Sequence, residues 1–114
     1  MPKAILVVHT EPATPEDDAA YNKWYDGIHV PDIVALPGFV AASRYKVSST
    51  QMGGATPDVP GYVAIYEIDA DDLDATLKGI GAGAASGAVR MGDAPMGAKS
   101  SMVLYEEVLP RTDA

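Results

Sequence analysis

Cysteine is missing altogether from this 114-residue chain. That excludes disulfides, thiolate metal sites and cysteine nucleophiles, and it suits a reducing cytoplasm, the expected location. Basic residues are scarce, 8 against 16 acids, for a formal net charge of −8. With no basic patch to displace counterions from phosphates, nucleic acid is not expected as a partner. Anionic membrane surfaces are disfavoured by the same sign, and no apolar run is long enough for a membrane span. The acidity reads as a solvated surface. The apolar run Ala4-Ile5-Leu6-Val7-Val8 is too short for a secretory signal and no cleavage site follows it. Histidine occurs twice and tryptophan once, so few side chains combine packing with chemistry near neutral pH.

What is present is an apolar fraction of 47%, enough for one domain over 1–114 with its own core. Ala4 to Thr10 is β-branched and apolar almost throughout and reads as a strand, with His9, Val7 and Ile5 on one of its faces. Pro12-Ala13-Thr14-Pro15 interrupts it. Thr14 then caps a helix with Pro15 as its first residue, and Glu16, Asp17 and Asp18 suit the positive end of the helix dipole. The spacing of Tyr21, Trp24, Tyr25 and Ile28 predicts one apolar face, with Asn22, Lys23 and Asp26 turned away from it. Gly27 weakens the last turn, and Pro31 is expected to end the helix near Ile28, with a further short helical turn from Pro31 to Leu36.

Pro37-Gly38 turns the chain into a second strand, Phe39 to Val47. Alternation sets Phe39, Ala41, Ser43 and Tyr45 on one face and Val40, Ala42, Arg44 and Lys46 on the other. Ser48 to Pro60 is a long loop. Tyr62 to Ile68 is a third strand carrying Tyr62, Ala64, Tyr66 and Ile68 on one face. Asp69 is expected to cap a second helix through Ile80, with Leu73, Leu77 and Ile80 on its apolar side and Gly81 as its stop. Ala82 to Ser100 reads as a lid-like loop, with a short helix over Ala84 to Met91 as the alternative. Met102 to Leu109 is the fourth strand. The order strand-helix-strand-strand-helix-strand predicts an α+β, ferredoxin-like βαββαβ sandwich: a four-stranded antiparallel sheet with both helices on one face. The other face stays apolar, and a homodimer pairing two sheets covers it.

The stretch Trp24-Tyr25-x-x-x-His29-x-Pro31 followed by Leu36-Pro37-Gly38-Phe39 resembles the EthD-like group of the dimeric α/β-barrel superfamily. The motif resemblance spans about the first 47 residues and continues by element order alone. It implies a cavity between sheet and helices in each subunit and paired sheets forming a barrel. Members include lactone isomerases, polyketide cyclases, small lyases, cofactor-free and haem-degrading oxygenases. Polyketide cyclases of this superfamily carry a histidine just after the second helix, whereas Gly81 to Met91 has none, which argues against that mechanism here.

His29 is the leading catalytic candidate, because an imidazole at the mouth of a cavity exchanges protons near neutral pH. Its structural alternative is to bond a carbonyl or Asp32 where the helix turns. Tyr25, one helical turn earlier, is the second candidate, able to polarise a developing oxyanion or simply to pack. Trp24, Arg44, His9, Met91 and Met96 are candidates for substrate contact. Trp24 forms core or cavity wall. Arg44 binds a carboxylate or pairs with an acid such as Glu67. His9 meets His29 across the cleft if its face looks toward the helices. The methionines line a pliable apolar pocket or fill gaps. His9 with Glu11, and His29 with Asp26 and Asp32, have no diagnostic metal spacing, so no metal is expected. No phosphate loop follows a strand and the second helix has no histidine to ligate haem, so no cofactor is expected. The expected activity is cofactor-independent lyase or isomerase chemistry on an apolar or aromatic carbonyl-containing metabolite. The alternatives are a non-catalytic hydrophobic-ligand-binding or accessory protein and a cofactor-free monooxygenase.

Overall fold

In the computed structural model, which describes residues 3–92 and 96–114, four strands form one antiparallel sheet: β1 (Lys3–Thr10), β2 (Phe39–Lys46), β3 (Tyr62–Asp69) and β4 (Ser101–Glu106), in the order β2-β3-β1-β4. The β-branched run that predicts β1 lies at the centre of the sheet, bonded to β3 on one side and β4 on the other. A 3₁₀ turn (Pro15–Asp17) leads into α1 (Asp18–Trp24). A π-turn (Tyr25–His29) joins α1 to α2 (Val30–Val34), and α3 (Leu73–Ser86) follows β3.

All helices pack on one face of the sheet. Ala4, Leu6, Val8 and Thr10 of β1 and Ala64, Tyr66 and Ile68 of β3 are buried there, and they form one core with Tyr21, Tyr25, Ile33 and Phe39. Leu73, Leu77 and Ile80 of α3 close the core from the side. Alternation sends the intervening residues to the other face. The cross-strand register brings Val7 beside Ile65 and Val103, and Tyr45 beside Val63, in one apolar stripe. Tyr45 and Tyr105 on that face are 57% and 54% exposed, so a wide apolar surface meets solvent.

Four expectations need correction. First, Phe39 and Arg44 share the helix-facing side, because the register slips between Phe39 and Ala41. The bulge makes Val40 an extra residue, 63% exposed, and one inserted residue reverses the phase of the strand. Second, Asp69 does not cap α3. It ends β3, donating its N–H to the Gly38 carbonyl at 2.9 Å, and Asp72 is the cap, its carboxylate accepting from the Ala75 N–H at 3.1 Å. Third, α3 runs through Gly81 to Ser86 and stops at Gly87, which is left-handed with φ 86°. Interior glycine costs about 1 kcal/mol against alanine. At Gly83 close packing offsets that cost, since a Cβ there would lie 2.7 Å from the Val89 side chain. Fourth, β4 ends at Glu106, and Val108 and Leu109 are exposed beyond it.

Candidate functional site

The continuous helical stretch over the sheet is shaped by Pro31. In a regular α-helix its ring would strike the carbonyl of Gly27 and one hydrogen bond would be lost. The chain avoids a break by loosening one turn: the Val30 N–H donates to the carbonyl of Tyr25, five residues back, instead of four. The helical path therefore continues from α1 into α2 where a stop near Ile28 is predicted. Such π-turns recur at functional sites, since they re-aim the side chains they carry. Here those include Tyr25 and His29.

The imidazole of His29 stacks on the indole of Trp24, with centroids 4.5 Å apart and planes 19° from parallel. It meets the ring of Tyr25 edge-on at 5.2 Å. His29 is half-buried, and its Nδ1 has no hydrogen-bond partner among the described residues. Burial pushes its pKa below the usual imidazole value, and the charge of Asp32 pulls it only part of the way back. That shift favours the neutral imidazole, which has lone-pair capacity for a proton. The structural alternative, a bond to Asp32 or to a carbonyl, is not made among the described residues.

Below His29 the space between sheet and helices is filled by Tyr21, Tyr25 and Tyr66, each at most 2% exposed. The Tyr21 hydroxyl is bonded to that of Thr10. Arg44 reaches up from β2 between these rings, its guanidinium carbon 4.3 Å from the centre of Tyr25, 5.3 Å from Tyr62 and 5.5 Å from Tyr21. It donates to Asp26 at 2.6 Å and to Asn22 at 3.0 Å. Asn22 and Asp26, turned away from the apolar face of the helix, are thus the groups that hold this cation. Glu67, the expected partner of Arg44, lies on the opposite sheet face, since its cross-strand neighbours are Ile5 and Ala41. Burial raises the pKa of Tyr25 and Tyr66, and the Arg44 charge opposes the rise.

A strap after α3 covers the Trp24 side. Val89 is buried and bonded to Gly83. Arg90 clasps Asp32 with three donors, its backbone N–H at 2.9 Å, Nε at 3.0 Å and Nη2 at 2.9 Å. This holds the Asp32 carboxyl down to about 2. Gly92, at φ +61°, lies so close to Trp24 that a Cβ would come within 2.8 Å of Nε1. Residues 93–95, part of the expected lid, lie outside the described residues. The strap resumes at Met96, bridged to Pro12, and Gly97 donates to the Glu11 carbonyl at 2.8 Å.

The structure therefore brings Trp24, Tyr25, His29 and Arg44 together. His9 stands on the opposite sheet face, with Nδ1 3.3 Å from the Ser101 hydroxyl, and it does not meet His29. Met91 and Met96 belong to the strap and are 54% and 40% exposed. Two open depressions lie away from His29. One, of about 360 Å³, is lined by Ile5, Val40, Glu67 and Tyr105, and one, of about 400 Å³, by Pro12, Thr14 and Gly97. Among the described residues no group of three or more His, Asp or Glu side chains is arranged to hold a metal ion, and no helix is long and apolar enough to cross a membrane. Thr10 and the Asp32–Arg90 clasp are not marked out by residue type in the sequence; strand alternation is a signal for Thr10, which shares the face of Leu6.

No protein-family model and no curated protein matches the sequence. Among solved structures, the chain is similar to an ethyl tert-butyl ether D (EthD) family protein from Bacillus halodurans, with 17% identity and a TM-score of 0.56 over 94% of this chain and 99% of that one. The chain thus has the EthD-like, ferredoxin-like α+β fold that the stretch from Trp24 to Phe39 anticipates.

Proposed function

We propose that this protein is a small cofactor-independent enzyme that moves a proton on an apolar or aromatic carbonyl-containing metabolite. One observation carries the reading. His29 is held against two aromatic rings, shifted toward its neutral form by burial, and left with a ring nitrogen unpartnered among the described residues. A neutral, oriented imidazole beside an apolar wall is suited to take a proton from carbon next to a carbonyl. Trp24 and Tyr25 supply the flat apolar wall. Arg44 supplies a positive field that favours charge developing on oxygen. The active form is a homodimer in which two copies cover each other's apolar sheet face.

The test is hydrogen–deuterium exchange at enolisable carbon, followed by NMR, over a panel of aryl ketones and β-dicarbonyl compounds chosen from any ligand found by native mass spectrometry. The wild type is expected to catalyse exchange on at least one, and His29→Ala to lose about 10²-fold or more while melting at nearly the same temperature. Exchange unaffected by His29→Ala overturns the proposal. Tight ligand binding without exchange points instead to a ligand-binding or accessory protein, and oxygen uptake with an electron-rich phenol to a monooxygenase.

A further inference from the structure

The arm that follows β4 stands outside the fold of a single copy. Its base is tied down, since the Glu107 N–H donates to the Lys3 carbonyl at 2.8 Å. Beyond that bond every residue from Val108 to Ala114 is exposed, with Val108 at 99% and Leu109 at 73%. Among the described residues its side-chain contacts are local: Arg111 pairs with Asp113 at 3.0 Å, and the Thr112 hydroxyl donates to the Pro110 carbonyl at 3.2 Å. Single apolar residues on a surface need no explanation, but Leu109 stands at the lip of a largely apolar groove, the depression of about 360 Å³. That groove crosses all four strands on the sheet face opposite the helices. Tyr105 and Ile5, neighbours across β4 and β1, form its floor, and the bulged Val40 stands at its far end on β2. Its rim is acidic, with Glu67, Glu106 and Glu107 against Lys3.

We propose that this groove is the socket for the arm of a second copy, with Val108 and Leu109 of each copy seated on Ile5 and Tyr105 of the other. The dimensions match. Four strands span three inter-strand spacings, about 14 Å, and the extended chain from Val108 to Thr112 covers about 17 Å. The chemistry matches too. Two apolar side chains meet an apolar floor, and Arg111, 90% exposed at its side chain, follows them toward the acidic rim. In a chain of net charge −8 a cation placed there offsets repulsion between copies. Pro110 has no N–H for a strand ladder, so the arm docks by its side chains and does not extend the edge of β4. The exposure of Leu109 shows that the arm is not folded into its own groove. Because arm and groove adjoin in each copy, a twofold axis beside Leu109 makes both contacts at once, the self-complementary arrangement of a homodimer. The inference rests on the homodimer of the proposed reading, not on its proton transfer, and names the segments that lock the two sheets together.

The chain has no cysteine, so introduced cysteines report this contact alone. An isotopically heavy Leu109→Cys chain is mixed with a light Ile5→Cys chain, oxidised, and analysed by mass spectrometry. Asp74→Cys, exposed on α3, replaces Ile5→Cys as the control. A heavy–light disulfide is expected with Ile5→Cys and not with Asp74→Cys, because the bond needs Cα atoms within about 7 Å. Sedimentation velocity supplies the second measure. Leu109→Ser is expected to weaken the dimer by about 100-fold or more, since each dimer loses two buried leucines and each accounts for about tenfold. Its circular dichroism should be unchanged, because Leu109 lies outside the core. A wild-type dimer that Leu109→Ser weakens by less than about threefold, or the absence of the heavy–light disulfide, overturns the arm exchange and leaves the homodimer standing. A monomeric wild type overturns both. An intrachain disulfide in a monomeric chain carrying Ile5→Cys and Leu109→Cys means that the arm fills its own groove, and it overturns the exchange as well.

Discussion

His29 lies flat on Trp24, 4.5 Å between ring centres, and Trp24 is the only tryptophan in the chain. An imidazolium quenches a stacked indole far more than a neutral imidazole does, so near neutral pH indole fluorescence reports the protonation of His29. The expected titration shows emission falling with acid at a midpoint below the 6.5 of free imidazole, unchanged in His9→Gln and absent in His29→Gln. The stability consequence has a definite sign. Below 6.5 the unfolded chain binds a proton that folded His29 refuses, so this residue lowers stability as pH falls from 6.5 to its folded value, and the loss levels off below that. A midpoint at or above 6.5 would mean that the ring is solvated or paired with Asp32.

Arg44 is 12% exposed at its side chain and holds Asn22 and Asp26 with two different nitrogens while facing three tyrosine rings. Lysine keeps the charge but not the planar fork or the stacking face. Arg44→Lys is expected to cost about 1–3 kcal/mol in urea unfolding. A loss below about 0.3 kcal/mol would show that the network contributes no stability.

Much of this arrangement was legible from local pattern, and the exceptions have local causes. The run Ala4 to Thr10 declared a buried strand, and Thr14-Pro15 with its acids declared a helix start. Alternation along β2 failed at one place, since nothing in Phe39-Val40-Ala41 marks Val40 as the bulged residue. Pro31 reads as a terminator because proline lacks an N–H, yet a helix loosened by one residue carries it. Gly81 reads as a stop because glycine disfavours helix, yet the helix continues and seats Val89 on Gly83. The clasp of Asp32 by Arg90 spans 58 positions, and no local periodicity encodes such a pair. The stretch from Trp24 to His29 stands out because its residue types are rare.

The Arg90 clasp should release only in strong acid. A carboxylate with a depressed pKa keeps its partner above the ordinary carboxylate range and loses it as pH falls through the folded value, here about 2. The Arg90 amide proton, which donates to Asp32, is therefore expected to shift in NMR spectra with a midpoint near 2. In Asp32→Asn that acid shift should vanish, and at neutral pH the amides of the strap should exchange faster. Trp24 emission should move at the same time, because Gly92 rests on its Nε1 edge. A midpoint near 4, the ordinary range for aspartate, would mean that the clasp is not formed in solution.

The apolar sheet face is where two copies are expected to meet. Ile65 stands at its centre, paired across the sheet with Val7 and Ser43, and its side chain points away from the helices. A lysine there leaves the core of Leu6, Tyr66 and Phe39 untouched but sets a charge in the middle of any sheet-to-sheet contact, where like charges of two copies would meet. Sedimentation velocity is expected to show a dimer for the wild type and a monomer for Ile65→Lys, with unchanged far-ultraviolet circular dichroism. Because each copy carries a net charge of −8, dimerisation should tighten as salt screens repulsion between copies. A wild type that stays monomeric at about 100 μM would reject the dimer on affinity grounds, and the role of His29 would then have to be carried within one copy.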